Sequence, residues 1–332
     1  GSIILPPSSG PIDMAFLDDT TAYVANNIGQ SVAVVNVQTL QCETLFISPE
    51  DMGTTTPCTN VINVLPDTFE EPAGVAVANG KVFISNNNLD PNFSPNGNGF
   101  ITVINPVLNL VQGTINASGA NTSTMIVIDD TIYALNNGNV LFDTETFEFT
   151  CDIEFPPSLD LISSTTDSVF DTIDIPLSEI NTNVCLPNNL AVNSEGFAYT
   201  GLGLVGALLE LDLVERTVVR GTDNPIIVTD LSGLNNTADV AIKNDLLFTT
   251  LFTTDQIAVI DTTDDRVNPF PYIAPFPAGL RADNPQSVLF DGVQSLAIRP
   301  GVPGLDFIGP DIYFITGISE QLGTVDSTLQ TQ

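Results

Sequence analysis

The chain has no histidine and no tryptophan, and it has few cations: Lys+Arg 7 against Asp+Glu 40 in 332 residues, for a formal net charge of -33. The scarcity of Lys and Arg argues against any nucleic-acid partner, because phosphate backbones are bound by cationic side chains. It also argues against docking on anionic membranes. The absence of histidine removes the Ser-His-Asp triad, the Cys-His dyad and His-ligated zinc from consideration.

Long apolar runs are missing as well. None reaches the roughly 18 residues of a membrane-spanning helix, so we expect no membrane span. Charged residues make up 14% of the chain, against about 25% in an average domain, so uncharged polar residues must provide solubility. We interpret this surface as that of a secreted or cell-surface protein.

The four cysteines fall into two local groups, and they allow three pairings. We predict the local one, Cys42 with Cys58 and Cys151 with Cys185. Two disulfides would place the chain in an oxidising, extracytoplasmic compartment.

Alternation of apolar and polar residues dominates the chain and predicts an all-β fold, with strands such as residues 21–25 and 81–85. One template of a small-apolar segment followed by two further strands recurs six times. Strand ends such as Asn26, Asn86 and Asn136 are interpreted as turn residues. The six copies begin at Asp13, Gly74, Thr124, Asn189, Asp239 and Ser295.

The spacing of roughly 56 residues per copy accommodates a four-stranded propeller blade with insertions. We therefore predict a six-bladed β-propeller, with Val140–Asp143 as the third strand of the third copy. The sixth copy lacks an outer strand, so the N-terminal strand Ser2–Leu5 is predicted to complete and close it. Seven blades are the alternative, with the extra one in residues 156–184. The whole chain, residues 1–332, is expected to be one domain with disulfide-bracketed insertions near residues 48–70 and 154–184.

The innermost strand of each blade lines the central channel of a propeller. The alignment places Asp13, Thr124, Asn189, Asp239 and Ser295 at equivalent channel positions, and Asn188 and Gln294 are their neighbours. Asp13, Asn189 and Asp239 form an oxygen-only ligand set that suits calcium. The alternative is that these groups hydrogen-bond to backbone and water in a wet channel.

Some segments resemble known repeats. Residues 23–27, 31–36 and 257–261 are similar to the YVTN-type β-propeller repeat, and Leu186–Val192 resembles the blade-opening segments of NHL and gluconolactonase-like propellers. The gluconolactonase resemblance implies a divalent metal near the axis, held here by Asn188 or Asn189 and by Asp239. The opening Glu of that family has no clean match: Glu71 is a poor substitute, and Asp13 is similar only in position.

Two functions follow from these patterns. The first is a non-catalytic, extracytoplasmic binding or surface-assembly module, which the lack of an activated nucleophile favours. Its partner would be a protein or a glycan at the cell surface. The second is a calcium-dependent, lactonase-like hydrolase with Asp13, Asn189 and Asp239 as metal ligands. No catalytic residue is assigned, and no organic cofactor is expected.

Overall fold

The computed structural model describes residues 2–51, 56–229, 231, 236–243, 245–251, 256–263, 266–267, 285–290, 295–300, 313–318 and 325–331. Within these residues every regular element is a β-strand, which confirms the predicted all-β class. No helix in this described part has the length and apolarity needed to cross a membrane. The contacts divide the chain into two compact units, Gly1–Asn139 with Asp152–Asp174, and Val140–Cys151 with Ile175–Gln332.

The first unit contains three sheets of consecutive antiparallel strands, and the first of them has a parallel fifth strand. The first sheet consists of β1 (Pro11–Phe16), β2 (Thr21–Asn26), β3 (Ser31–Asn36), β4 (Gln41–Ile47) and β5 (Asn60–Asn63). The second consists of β6 (Pro72–Ala78), β7 (Lys81–Asn86), β8 (Phe100–Asn105) and β9 (Leu110–Asn116). The third consists of β10 (Thr122–Ile128), β11 (Thr131–Asn136), β14 (Ser158–Ser163) and β15 (Ser168–Asp174).

The second unit contains a two-stranded hairpin, β12 (Val140–Phe142) and β13 (Phe149–Cys151), and three larger sheets. The fourth sheet consists of β16 (Pro187–Val192), β17 (Phe197–Leu202), β18 (Ala207–Asp212), β19 (Thr217–Arg220) and β20 (Ile226–Ile227). The fifth consists of β21 (Thr237–Lys243), β22 (Leu246–Leu251), β23 (Gln256–Asp261) and β24 (Arg266–Val267). The sixth consists of β25 (Pro285–Phe290), β26 (Ser295–Pro300), β27 (Tyr313–Ile318) and β28 (Val325–Thr331).

The first strand of each of the six larger sheets has a register irregularity near its start. In β1, β6, β21 and β25 it falls between residues two apart, Pro11/Asp13, Pro72/Gly74, Thr237/Asp239 and Pro285/Ser287. In β10 and β16 it spans Thr122/Met125 and Asn188/Ala191. A bulge redirects the strand and frees one residue from the ladder, so the side chains just after these starts occupy corresponding positions.

Among the described residues, three cores lie between neighbouring sheets of one unit, and a further core covers one face of the first sheet. Tyr23 and Phe46 of the first sheet pack with Val75 and Ile84 of the second. A second cluster joins the second and third sheets, and a third joins the fourth and fifth. Each fully buried side chain of this size contributes about 1.5–3 kcal/mol to folding. Face-to-face packing of successive sheets is the arrangement that a blade repeat requires.

The sixth repeat differs from its prediction by one strand. The sequence assigned Ser295 to the first strand, but Ser295 begins β26, the second strand of its sheet. The position that corresponds to Asp13 is Ser287 in β25. The predicted strand Ser2–Leu5 is therefore wrong: no strand forms there, and residues 285–331 supply all four strands of the sixth sheet. Both segments carry a Ser followed by three apolar residues, which is why the template matched the later one.

The third repeat also differs from its prediction. Val140–Phe142, predicted as its third strand, belongs to the separate hairpin, and β14 takes that place beside β11. Both β14 and β15 lie within residues 154–184, where the sequence predicted an insertion. The segment that interrupts the third sheet therefore lies between β11 and β14, and it contains the hairpin.

Candidate functional site

The β12–β13 hairpin is closed by a turn that its own side chains stabilise. Asp143 Oδ1 accepts hydrogen bonds from the backbone N–H groups of Glu145 at 2.7 Å and Thr146 at 3.2 Å. These bonds lower the pKa of Asp143. The backbone N–H of Phe147 donates to the Asp143 carbonyl at 2.8 Å, and Phe147 adopts a positive φ of 60°. An Asx-type turn of this kind fixes the direction of the residues that follow it.

A disulfide fastens the hairpin to the chain just before β16. Cys151 ends β13 and is bonded to Cys185, with 5.8 Å between the Cα atoms. The backbone N–H of Cys151 also donates to the carbonyl of Thr182 at 2.7 Å. The second predicted pair, Cys42 with Cys58, is bonded as well, and none of the cysteines is free. Both predicted pairings are confirmed.

Three phenylalanines cluster on this hairpin. The rings of Phe142 and Phe149, which face each other across the two strands, are 4.8 Å apart between centroids. Phe147 makes an edge contact with Phe142 at 6.2 Å. Phe142 is 48% exposed and Phe147 is 75% exposed. A contiguous aromatic cluster left in water typically marks an interaction site, whereas single exposed apolar residues are ordinary.

A cleft of about 390 Å³ lies beside the cluster. Its lining combines two of the aromatic rings and Leu204 with polar groups from β13 and from the segment that the disulfide anchors. The complete set is Phe147, Glu148, Phe149, Thr150, Thr182, Asn183 and Leu204. Asn183 donates its amide N–H to the carbonyl of Leu231 at 3.0 Å. Three apolar side chains and four polar ones therefore line the cleft.

The predicted metal ligands lie on first strands, and each has a backbone contact. Asp13 in β1 accepts a hydrogen bond from the N–H of Val75 in β6 at 2.8 Å. Burial raises the pKa of Asp13, and that bond partly offsets the rise. Asn189 in β16 has a positive φ of 51° and donates to the carbonyl of Ala238 in β21 at 2.8 Å. Asp239 Oδ1 accepts from the N–H of Val240 at 2.9 Å.

These contacts bring Asn189 and Asp239 to neighbouring strands of the second unit, while Asp13 lies in the first unit. Within the described residues no group of three or more Asp, Glu or Cys side chains is placed to hold a metal. Carboxylate and amide oxygens are the ligand types that a hard cation prefers. The contacts of Asp13 and Asn189 also tie successive sheets together.

The predicted channel residues are distributed as follows. Thr124 lies in β10, and Ser295 begins β26. In its better-satisfied orientation the side-chain amide of Asn188 in β16 donates to the carbonyl oxygens of Thr237 at 2.9 Å and Gly201 at 3.3 Å. Gln294 lies outside the described residues. The contacts of Asn188, like those of Asn189, join the fourth sheet to the fifth.

A further group of carboxylates surrounds Glu70, before β6. Burial, together with the nearby charges of Asp67, Glu71 and Asp51, raises the pKa of Glu70 to about 7. Its backbone N–H donates to Asn86 Oδ1 at 3.1 Å, and its carbonyl accepts from Asn88 at 3.2 Å. Glu70 therefore changes its protonation state near neutral pH in the folded protein.

The comparisons with known proteins identify the fold. No protein-family model and no curated protein sequence matches the chain. Hydrazine synthase of Kuenenia stuttgartiensis matches with a TM-score of 0.61 at 15% identity, over 95% of this chain and 79% of that one. Virginiamycin B lyase from Staphylococcus aureus matches at 0.60 and 11% identity, over 98% and 85%. The computationally designed Ika8 protein matches at 0.53 and 10% identity, over 95% and 73%.

Both natural neighbours contain β-propellers, and the lyase is a seven-bladed one similar to NHL and YVTN propellers. The chain therefore has the β-propeller architecture that its YVTN-like and NHL-like segments predicted. Its two disulfides indicate an extracytoplasmic location.

Proposed function

We propose that this chain is a non-catalytic binding or surface-assembly module, secreted or displayed at the cell surface, and that the β12–β13 hairpin is its binding face. One observation carries the proposal: three clustered phenylalanines, two of them exposed, stand on a hairpin that a disulfide anchors. Aromatic side chains held rigid before binding lose little conformational entropy on association, and Phe is among the residues enriched at protein interfaces.

The side chains that line the cleft favour a binding function over a catalytic one. The chain has no histidine, so any general base in the cleft would have to be a carboxylate such as Glu148. Glu148 is exposed and borders a shallow aromatic surface. This arrangement suits reversible contact with a partner.

The proposal is tested with glycan and peptide arrays probed by the native protein and by a Phe142→Ser/Phe147→Ser variant. The matched control is Phe93→Ser/Phe170→Ser, because both of these phenylalanines are exposed and lie away from the hairpin in sequence. We expect some array ligands to bind the native protein and the control variant but not the hairpin variant. Equal binding by all three proteins, at unchanged melting temperatures, would contradict the proposal.

We also propose that the six sheets are the blades of one closed ring. The support comes from β1 and β6. Val75 in β6 packs against the preceding sheet, and the register places Met14 of β1 at the corresponding position. Met14 is 46% exposed, and Ile12 and Phe16 beside it on the same face are exposed too. A closed ring would cover this row with the last sheet and remove the row from water. Other residues of the same face, Val24 and Leu45 among them, are already buried, and Ile3 and Leu5 pack against them.

A further inference from the structure

The geometry points to a cationic protein segment, one that inserts an arginine side chain, as the ligand of the β12–β13 hairpin and its cleft. This inference rests on the proposed binding function and names the chemistry of the partner. It is carried by three features of the site: its charge, its exposed rings, and the hydrogen-bonding character of the groups that line the cleft.

The charged residues of the hairpin itself all have one sign. Asp143, Glu145 and Glu148 all lie between the two phenylalanines of the strands, and the sequence has no Lys or Arg anywhere between Lys81 and Arg216. The whole chain carries a formal charge of -33. A second copy of the chain or an acidic partner would be repelled, while a basic segment would be attracted and its encounter rate raised.

The exposed rings suit a cation. A guanidinium or ammonium group within about 6 Å of a ring centroid is attracted by the negative face of the ring, and the attraction grows when water is excluded. The chain already has one such pair, Lys81 Nζ at 5.7 Å from the centroid of Phe83. Phe147 is the most exposed ring of the cluster and also lines the cleft, beside the carboxylate of Glu148.

The lining groups offer hydrogen-bond acceptors. Glu148 provides a carboxylate, and Thr150 and Thr182 provide hydroxyl oxygens. The side-chain amide of Asn183 donates one N–H to the carbonyl of Leu231, and its carbonyl oxygen is a further acceptor group of the lining. A guanidinium has five N–H donors and no acceptor, so it can pair with the carboxylate and with the hydroxyl and carbonyl oxygens of this set.

The volume of the cleft sets the scale of the ligand. About 390 Å³ is at the lower end of the range for small-molecule sites, so the cleft accommodates a side chain with its neighbouring backbone, and the rest of the partner would lie over Phe142 and Phe147. The disulfide between Cys151 and Cys185 holds the hairpin wall against the segment that carries Thr182 and Asn183. The site is thus formed before the ligand arrives.

The test is fluorescence anisotropy with labelled peptides of repeating Gly-Ser-Arg, Gly-Ser-Lys or Gly-Ser-Glu and with a labelled neutral oligosaccharide. The native protein is compared with Phe147→Ser and Glu148→Gln. The matched controls are Phe93→Ser, a ring that is 80% exposed in another loop, and Glu215→Gln, which removes the same charge from the β18–β19 turn. Melting temperatures establish that every variant is folded.

We expect the Arg peptide to bind more tightly than the Lys peptide and the Glu peptide not to bind. Phe147→Ser and Glu148→Gln should each weaken Arg-peptide binding by about three- to ten-fold, while both controls stay within about two-fold. Equal weakening by Glu148→Gln and Glu215→Gln would mean diffuse attraction to an anionic surface and would overturn the inference. Oligosaccharide binding that depends on Phe147, without Arg-peptide binding, would overturn the inference and leave the binding function standing. If binding of none of the probes requires Phe147, the result would count against both the inference and the proposed binding function.

Discussion

Cys151, the last residue of the inserted hairpin, is bonded to Cys185, two residues before β16 begins, and the bond closes a loop with a sequence separation of 34. The hairpin has only three residues in each strand. A two-stranded hairpin of that length is marginal in water by itself. The disulfide and the Cys151–Thr182 hydrogen bond are therefore among the contacts that hold the proposed binding face in one position.

Removal of this disulfide should lower both stability and binding. We expect Cys151→Ser/Cys185→Ser to reduce the free energy of unfolding by about 3–4 kcal/mol on the chain-entropy estimate, measured by denaturant titration. Hairpin binding should fall as well, because the aromatic cluster loses its anchor. Cys42→Ser/Cys58→Ser is the matched control: it should lower stability by about 3 kcal/mol and leave hairpin binding unchanged. Equal loss of binding in both variants would refute the anchoring role.

Glu70 should make stability depend on pH between about 4.5 and about 7. Its pKa is raised in the folded state to about 7 from its ordinary value of 4.5, so the folded state holds this proton more tightly than the unfolded state. Its protonation therefore stabilises the fold below pH 4.5, and this contribution is lost as the pH rises through 7. We expect the melting temperature to fall between pH 5 and pH 8, and Glu70→Gln to flatten that fall. Glu215→Gln, in an exposed turn, should leave the slope as it is; a slope unaffected by Glu70→Gln would show that another group is responsible.

The proposed closure of the ring can be tested by a substitution in β1. If the last sheet covers the row of Ile12, Met14 and Phe16, Met14→Asp places a charge in an apolar contact and should cost about 2 kcal/mol or more. Ile28→Asp, at a residue that is 71% exposed in the β2–β3 turn, should change stability by about 0.5 kcal/mol or less. Thermal melts of the two variants make the comparison. Equal melting temperatures would contradict closure over this face.

Calcium binding by Asp13, Asn189 and Asp239 stays a prediction, and it is tested by thermal melts in calcium and in chelator. A ligand that binds only the folded state raises the melting temperature with concentration. We expect calcium to raise it in the native protein and not in Asp239→Asn. Magnesium serves as the control cation, because a site of flexible carboxylate and amide oxygens favours calcium. Identical melts in calcium and chelator would remove the lactonase-like alternative.

Local patterns determined how much of the fold the sequence could predict. The first strands at Asp13, Gly74 and Asp239 were found because each repeats the same short apolar segment after a bulge. The disulfides were found because cysteines close in sequence pair readily. The sixth repeat was misaligned because β25 and β26 carry similar segments, and only strand pairing tells which comes first.

The buried hydrogen bonds inside each repeat could not be predicted from the sequence. Asn86 ends β7 and was interpreted as a turn residue, but it is fully buried. Its amide donates to the carbonyl of Ile84 and to Thr102 Oγ1, and its Oδ1 accepts from Glu70. Asn86 ties three segments together through contacts with residues distant in sequence. Turn propensity is a local property and does not predict such contacts.

The hairpin was missed for a related reason. Val140–Phe142 has the alternation of a blade strand, and three phenylalanines close in sequence suggest a buried element. The Asp-Thr-Glu-Thr run between them is the one local signal of a tight turn, and it indicates a hairpin with short strands. The rings are exposed because the hairpin lies outside the larger sheets, and the sequence pattern does not show this position.

Hydrogen–deuterium exchange shows whether a ligand covers the hairpin. The amides of residues 142–150 and 182–183 are compared in the free protein and in the presence of saturating Gly-Ser-Arg peptide, with the Gly-Ser-Glu peptide as control. If the hairpin is the binding face, these amides exchange more slowly with the Arg peptide alone. Protection elsewhere in the chain, or unchanged exchange in the hairpin at saturation, would contradict it.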